Sequence, residues 1–198
     1  MTEIKLDLKE GSSGLWKVEQ FTVSRKAADF ERMRSIVKGS GRGVPEGTYH
    51  RLTRNGSTIM SNTPDEIGDC SEFIDEASGN VLINGLGLGV VLEAIMDKVD
   101  HVTVIENSPD VIKLVAQHYL DKYPGKLEII EADAYTYKSP KGVKYDCVWH
   151  DIWDDICTDN LRGMKKLHRK YDRKTNWQAS WCRGACEYHR ERNKQGYW

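Results

Sequence analysis

No stretch of this 198-residue chain is apolar for long enough to cross a membrane: the longest candidate, Val81–Met96 (VLINGLGLGVVLEAIM), is broken by Asn84 and Glu93. The opening residues, MTEIKLDLKEG, lack the apolar run of a secretion signal, so a cytoplasmic location with no membrane partner is expected. Internal repeats and low-complexity tracts are missing too, which excludes a solenoid or a compositionally biased linker. Cysteine is sparse and odd in number (Cys70, Cys147, Cys157, Cys182, Cys186), which predicts reduced thiols and not a disulfide framework. What is present, 39% hydrophobic and 30% charged residues, suits one compact core with a small appendage.

The net charge of −1 conceals a segregation. From Leu161 to Trp198 there are eleven Lys or Arg against three acids, whereas Asp146–Asp159 holds five Asp and no Lys or Arg. A basic tail can meet an anionic partner, nucleic acid included. A solvated helical surface is the commoner use of such a tail, and nucleic acid ranks below it.

Periodicity divides the chain near Gly79. Residues 1–15 read as a polar lead-in. SRKAADFERMRSIVKGSG predicts a helix with Ser24 as N-cap, Gly39 as stop, and Ala27, Phe30, Met33 and Val37 on one face. TYHRLTRNGSTIMSN predicts a hairpin turning at Asn55-Gly56. TPDE, Thr63–Glu66, combines an N-cap, a first-turn proline and a capping-box glutamate, and opens a helix aligning Ile67, Cys70, Ile74 and Ala77. Residues 1–78 are thus expected as a helix, hairpin and helix cap on a core at 79–198.

After Gly79, strands NVLIN, HVTVIE, LEIIEA and YDCVWHD alternate with amphipathic helices. A charged helix near 159–171, a short strand near NWQAS and a last helix follow. The fold class is therefore α/β, a doubly wound and mostly parallel sheet. Ligands of such sheets lie beyond the carboxyl ends of the strands, where Gly85, Gly87 and Gly89 fall.

Glycines at a strand exit let the backbone turn sharply and approach a ligand, or else simply pack a strand on a helix. The dinucleotide pattern G-x-G-x-x-G requires glycine at position 90, which is Val90, and a Walker A Gly-Lys-Ser/Thr is absent. Both phosphate cradles fit poorly. Glu106 ends the second strand, where a carboxylate can accept from two ribose hydroxyls. Asp133, after the third, can accept from an adenine amino group or serve as a turn residue. These residues describe a nucleoside site without a phosphate cradle.

In this order the segments resemble the class I S-adenosylmethionine-dependent methyltransferases, most closely their spermidine-synthase-like branch. VLINGLGLG is similar to motif I, VIENSPDVI to the ribose motif, IIEADAYTY to the adenine motif and YDCVWHDIWDD to the fourth-strand catalytic segment. The resemblance covers about residues 48–157, and beside that family the sheet is expected to be shortened at its C-terminus. It implies S-adenosylmethionine as cofactor, with Gly85, Leu86, Gly87 and Gly89 at its methionine part, Glu106 and Asn107 at the ribose, Asp133 and Ala134 at the adenine, and Asp151 beside the transferred group. Spermidine synthases carry an acid in the glycine loop where this chain has Leu88, which weighs against aminopropyl transfer. Asp151 and Asp154 nevertheless reproduce their D-x-x-D spacing.

At WHDIWDD, Asp151 is the expected orienting group or base, supported by Asp154, with His150 as a second proton acceptor. Asp151, Asp154 and Asp155 supply too few oxygens for a hard cation, and Cys182, Cys186 and His189 lack a fourth ligand for zinc. No metal is expected. Trp149 and Trp153 could shield a sulfonium, with core packing the commoner use of Trp149. The leading expectation is methyl transfer to a small amine or hydroxyl substrate. Its alternatives are aminopropyl transfer, a cofactor-binding or cofactor-consuming protein with no methyl acceptor, and a nucleic-acid methyltransferase using the basic tail. The last ranks lower, because no Asn/Asp-Pro-Pro-aromatic segment follows the fourth strand to grip a flipped base. The short C-terminus leaves room for a second subunit, as a homodimer, to complete substrate recognition.

Overall fold

The strand–helix alternation after Gly79 folds as its pattern dictates. In the computed structural model, which describes residues 4–38 and 43–196, five strands form one all-parallel sheet. They are β5 (Asn80–Asn84), β6 (His101–Glu106), β7 (Leu127–Glu131), β8 (Tyr145–His150) and β9 (Thr175–Ser180), in the order β7-β6-β5-β8-β9. The central strands β5, β6 and β8 are buried along nearly their whole length, which is why they read as continuous apolar runs. The chain winds outward from β5 to β7, then returns to pair β8 with β5. That reversal opens a crevice above the ends of β5 and β8.

Connecting helices cover the sheet. They include α4 (Val90–Ile95), α5 (Pro109–Val111) continued by a π turn at Ile112–Ala116 into α6 (Gln117–Lys122), α7 (Asn160–Tyr171) and α8 (Arg183–Lys194). Ser108 caps α5, its hydroxyl accepting from the Val111 amide. The α7 face formed by Met164, Leu167 and Tyr171 is buried, at the 3.6-residue period of its sequence.

The N-terminal part departs from its expected form. It is a four-stranded antiparallel sheet in chain order: β1 (Gly11–Ser13), β2 (Trp16–Val23), β3 (Gly47–Arg54) and β4 (Ser57–Ser61). The hairpin turn is where the sequence puts it, with Asn55 at φ 51° and Gly56 at φ 79°. The polar lead-in is not one: Leu6 and Leu8 are buried and β1 pairs with β2. Helix α1 (Arg25–Lys38) begins at Ser24, whose Oγ accepts from the Ala27 amide at 3.3 Å. Its apolar face is exposed among the described residues, Phe30 by 65% and Val37 by 87%. The expected stop at Gly39 lies outside the described residues.

The TPDE helix also differs. It breaks at Cys70 into α2 (Pro64–Asp69) and α3 (Ser71–Glu76). Glu66 does not close a capping box on Thr63; its carboxylate instead accepts from the Ser61 amide and hydroxyl, at 2.5 and 2.9 Å, tying the helix to the end of β4. Both sheets share a core in which Val18 and Leu52 join Val81, Val104 and Trp149. Phe73 of α3 stacks on Trp149, ring centroids 5.1 Å apart. No helix among the described residues is long and apolar enough to cross a membrane.

Candidate functional site: a cleft beneath the antiparallel sheet

A cavity of about 340 Å³ opens at the carboxyl ends of β5, β6 and β8. That volume falls within the roughly 300–1,000 Å³ typical of small-molecule sites. Its floor is the parallel sheet's loops: Gly85, Leu86 and Gly87 after β5, Glu106 and Asn107 after β6, Asp133 and Ala134 after β7, and Asp151 after β8. All eight were expected from the sequence, and the fold brings them together. Asp154 also lines the cavity, while Gly89 and His150 do not.

The glycine loop is tight because protein presses on it as well as the cavity. Gly85 has φ 102°, and a Cβ there would run into the Asp151 carbonyl oxygen; one at Gly87 would meet the Met60 sulfur. Gly89, at φ 70°, faces the Tyr119 ring, so its role is packing, a correction to its place among the cofactor contacts. Tyr119 donates to the Leu88 carbonyl at 2.8 Å and fixes the loop's far end. The Leu88 amide donates to the Met60 sulfur at 3.1 Å, while the Leu88 side chain is fully buried.

Glu106 is buried, and both its oxygens are held. One accepts from the Leu86 amide and the other from the Ser108 amide, each at 2.8 Å. A carboxylate has about four acceptor positions, so two remain for hydroxyls in the cleft. Asp133 is exposed and accepts from the Tyr135 and Thr136 amides at 2.5 and 3.3 Å, the turn geometry that rivalled its adenine role. No cluster of metal-ligating side chains occurs among the described residues: Cys186 is buried, His189 is exposed and Cys182 precedes α8.

Asp151 has the most perturbed carboxyl in the cleft. Burial pushes its pKa up to about 7, the Trp149 indole opposes this, and Glu66, Asp69 and Glu106 add negative charge that raises it further. The Trp149 indole nitrogen has no hydrogen-bond partner of normal geometry and is otherwise core, as its stacking requires. His150, by contrast, is fully buried, and its ring is engaged at both nitrogens. Asn84 Nδ2 donates to its Nδ1 at 2.8 Å, which leaves the proton on Nε2, facing Gln178 Oε1 at 3.2 Å. Burial pulls its pKa down to about 3, so it stays neutral and takes no proton from the cleft. The expectation for His150 is corrected on that ground.

The roof comes from residues the sequence did not mark. Trp16, Arg54 and Met60 descend from β2, β3 and β4, and Trp181 and Cys70 close the side. Arg54 pairs with Asp154 and lies over the Trp16 ring, 5.2 Å from its centroid. The hairpin was legible, but nothing local says that its strands return over the glycine loop.

A ribosomal methylase is among the proteins this chain resembles. It is 28% identical over 106 residues to a protein of Natronomonas pharaonis described as "Probable ribosomal RNA small subunit methyltransferase A", covering 53% of this chain and 36% of the relative. Its fold is similar to the 23S rRNA methyltransferase ErmE (TM-score 0.45, 18% identity, 59% of this chain and 46% of that one). It is also similar to an S-adenosylmethionine-dependent methyltransferase from Clostridium acetobutylicum (TM-score 0.39, 16% identity, 56% and 43%). The chain spans about a third of the curated relative's length. No family model matches it. The parallel sheet, in the order β7-β6-β5-β8-β9, has the doubly wound, Rossmann-like arrangement.

Proposed function

We propose that the chain is an S-adenosylmethionine-dependent methyltransferase whose acceptor presents a nitrogen or hydroxyl to Asp151. The observation that carries this reading is the convergence in one cleft of a phosphate-free glycine loop, the Glu106 carboxylate and a base of raised pKa. The residues fit the group. Gly85 and Gly87 line the cleft where the amino acid part would lie, Glu106 retains acceptor positions for the ribose hydroxyls, and Ala134 borders the adenine edge without bulk.

S-adenosylmethionine supplies an electrophilic methyl carbon on a sulfonium. The protein supplies position and proton management. Asp151, ionised, accepts the proton that the acceptor nitrogen or oxygen gives up on gaining the methyl group, and a pKa near 7 suits it to that exchange near neutral pH. Trp153 and Trp181 line the cleft with apolar surface, and the Arg54–Asp154 pair joins its roof to its floor. Holding the reactants in line contributes much of such a rate. The relative's description as a probable ribosomal RNA methyltransferase favours an acceptor on RNA over a small amine or hydroxyl compound.

Aminopropyl transfer, the spermidine-synthase-like reading, has one observation in its favour: Asp151 and Asp154 both line the cleft, although Asp154 is already paired with Arg54. Buried, apolar Leu88 stands where the loop would need another carboxylate. Calorimetry with S-adenosylmethionine and with its decarboxylated form tests both readings. Methyl transfer predicts tighter binding of the carboxylated cofactor; the reverse order, or no binding of either, refutes it.

A further inference from the structure

We propose that the acceptor is carried on a single-stranded nucleic acid, and that α7 with the turn after β7 forms the track that holds its phosphates beside the cleft. This rests on the methyl-transfer reading above. Helix α7 contains no acid and carries Arg162, Lys165, Lys166, Arg169 and Lys170. Beyond the exposed Asp133 that opens the turn after β7, residues 134–144 hold no acid and carry three lysines. In a chain of net charge −1, such clearing of acids from two neighbouring segments concentrates positive potential on one face.

Comparison with α8 separates this face from an ordinary solvated helix. Three of the four α8 cations, Arg183, Arg190 and Lys194, are paired with Glu187 or Glu191, and the fourth, Arg192, lies over the Tyr188 ring. None of the five α7 cations forms an ion pair among the described residues. No such pair among the described residues neutralises them, although the Asp133 carboxylate acts on Lys170 at longer range.

Aromatic rings alternate with these cations. The Lys166 ammonium lies 4.8 Å from the Tyr135 ring centroid, and that of Lys170 5.9 Å from Tyr137. Lys170 also donates to the Ala134 carbonyl at 2.7 Å, fastening α7 to the turn after β7. Ala134 and Tyr135 line the cleft, so the track begins at its rim. Cations for phosphates and rings for bases are what an unpaired strand requires, and a base must leave any stack to reach a buried acceptor site. A lipid surface fits less well. The apolar residues of α7 face the protein core and leave nothing to insert between acyl chains.

The test is fluorescence anisotropy with a labelled RNA of about 20 nucleotides, across roughly 50–200 mM salt, beside calorimetry with S-adenosylmethionine. The unaltered protein should bind the strand with an affinity that falls as salt rises. Lys165→Glu/Lys166→Glu/Arg169→Glu should weaken binding at least tenfold and flatten the log–log salt slope by about two, at about 0.7 per lost phosphate contact, with cofactor affinity unchanged. The corresponding triple alanine variant should move the same way, which covers a reversal that fails to fold. Cofactor binding without RNA binding overturns this proposal alone. RNA binding without cofactor binding refutes the methyl-transfer reading and, with it, the acceptor's assignment. RNA binding indifferent to the α7 charges, equal affinity for duplex RNA, or tighter binding to phosphatidylserine vesicles would each overturn the track.

Discussion

Asp151 holds its proton more tightly in the folded chain than an exposed aspartate does, chiefly because burial penalises its charge. The sign of the consequence follows from proton counting. Between the ordinary aspartate pKa near 4 and its folded value of about 7, the native state binds more protons than the unfolded one. Its contribution to stability therefore declines as pH rises through that window and is flat above it. Asp151→Asn should be more stable than the parent at pH 8, on the order of 1–2 kcal/mol once solvent screening through the open cleft is allowed for, with little difference at pH 4. Thermal melts at both pH values check this. On the proposed reading the same variant should lose about 10²–10⁴ in turnover, and the parent's rate should climb with pH to a plateau above 7. A second residue-scale prediction concerns Glu106. Glu106→Ala should weaken cofactor binding by about 1–3 kcal/mol, and should also lower the melting temperature, because the Leu86 and Ser108 amides lose their acceptor. Glu106→Gln, which keeps an acceptor oxygen, should recover part of the stability, and calorimetry with melting curves separates the two losses.

Elements were legible where periodicity and turn chemistry coincide. Strands β5, β6 and β8 announce themselves as apolar runs bounded by Gly, Asn and Asp, and Asn55-Gly56 announces its turn. Strand β2 was missed, since WKVEQFTV carries Lys17 and Glu19 on its open face and only a long-range partner, β3, makes it a strand. The face of α1 has helical spacing but is covered by nothing among the described residues, a reminder that periodicity predicts a helix and not what covers it. The same limit governs the site. Floor residues could be read because each ends a strand, whereas Trp16, Arg54 and Met60 reach the cleft through tertiary folding that no local pattern encodes. Two outcomes are expected at this scale. Gly56→Ala, at φ 79° with open space around it, should cost about 1 kcal/mol through backbone strain alone and leave ligand affinity unchanged. Phe73→Ala removes the ring that seats α3 on Trp149 and should cost about 3–5 kcal/mol, read by denaturant titration.

Across the molecule, two sheets of opposite construction share one hydrophobic core and enclose the cleft where they meet. The floor belongs to one and the roof to the other, joined at the surface by Arg54 and Asp154. A guest held there touches both, and so acts as mortar between two courses of masonry. Separating the sheets would mean evicting it. At a hundredfold excess over its dissociation constant such a guest adds about 2.7 kcal/mol to the unfolding free energy. For a chain of this length that corresponds to a rise of roughly 5–10 °C in melting temperature. A library of adenosine derivatives, warmed one by one with the protein, would rank itself by that single readout.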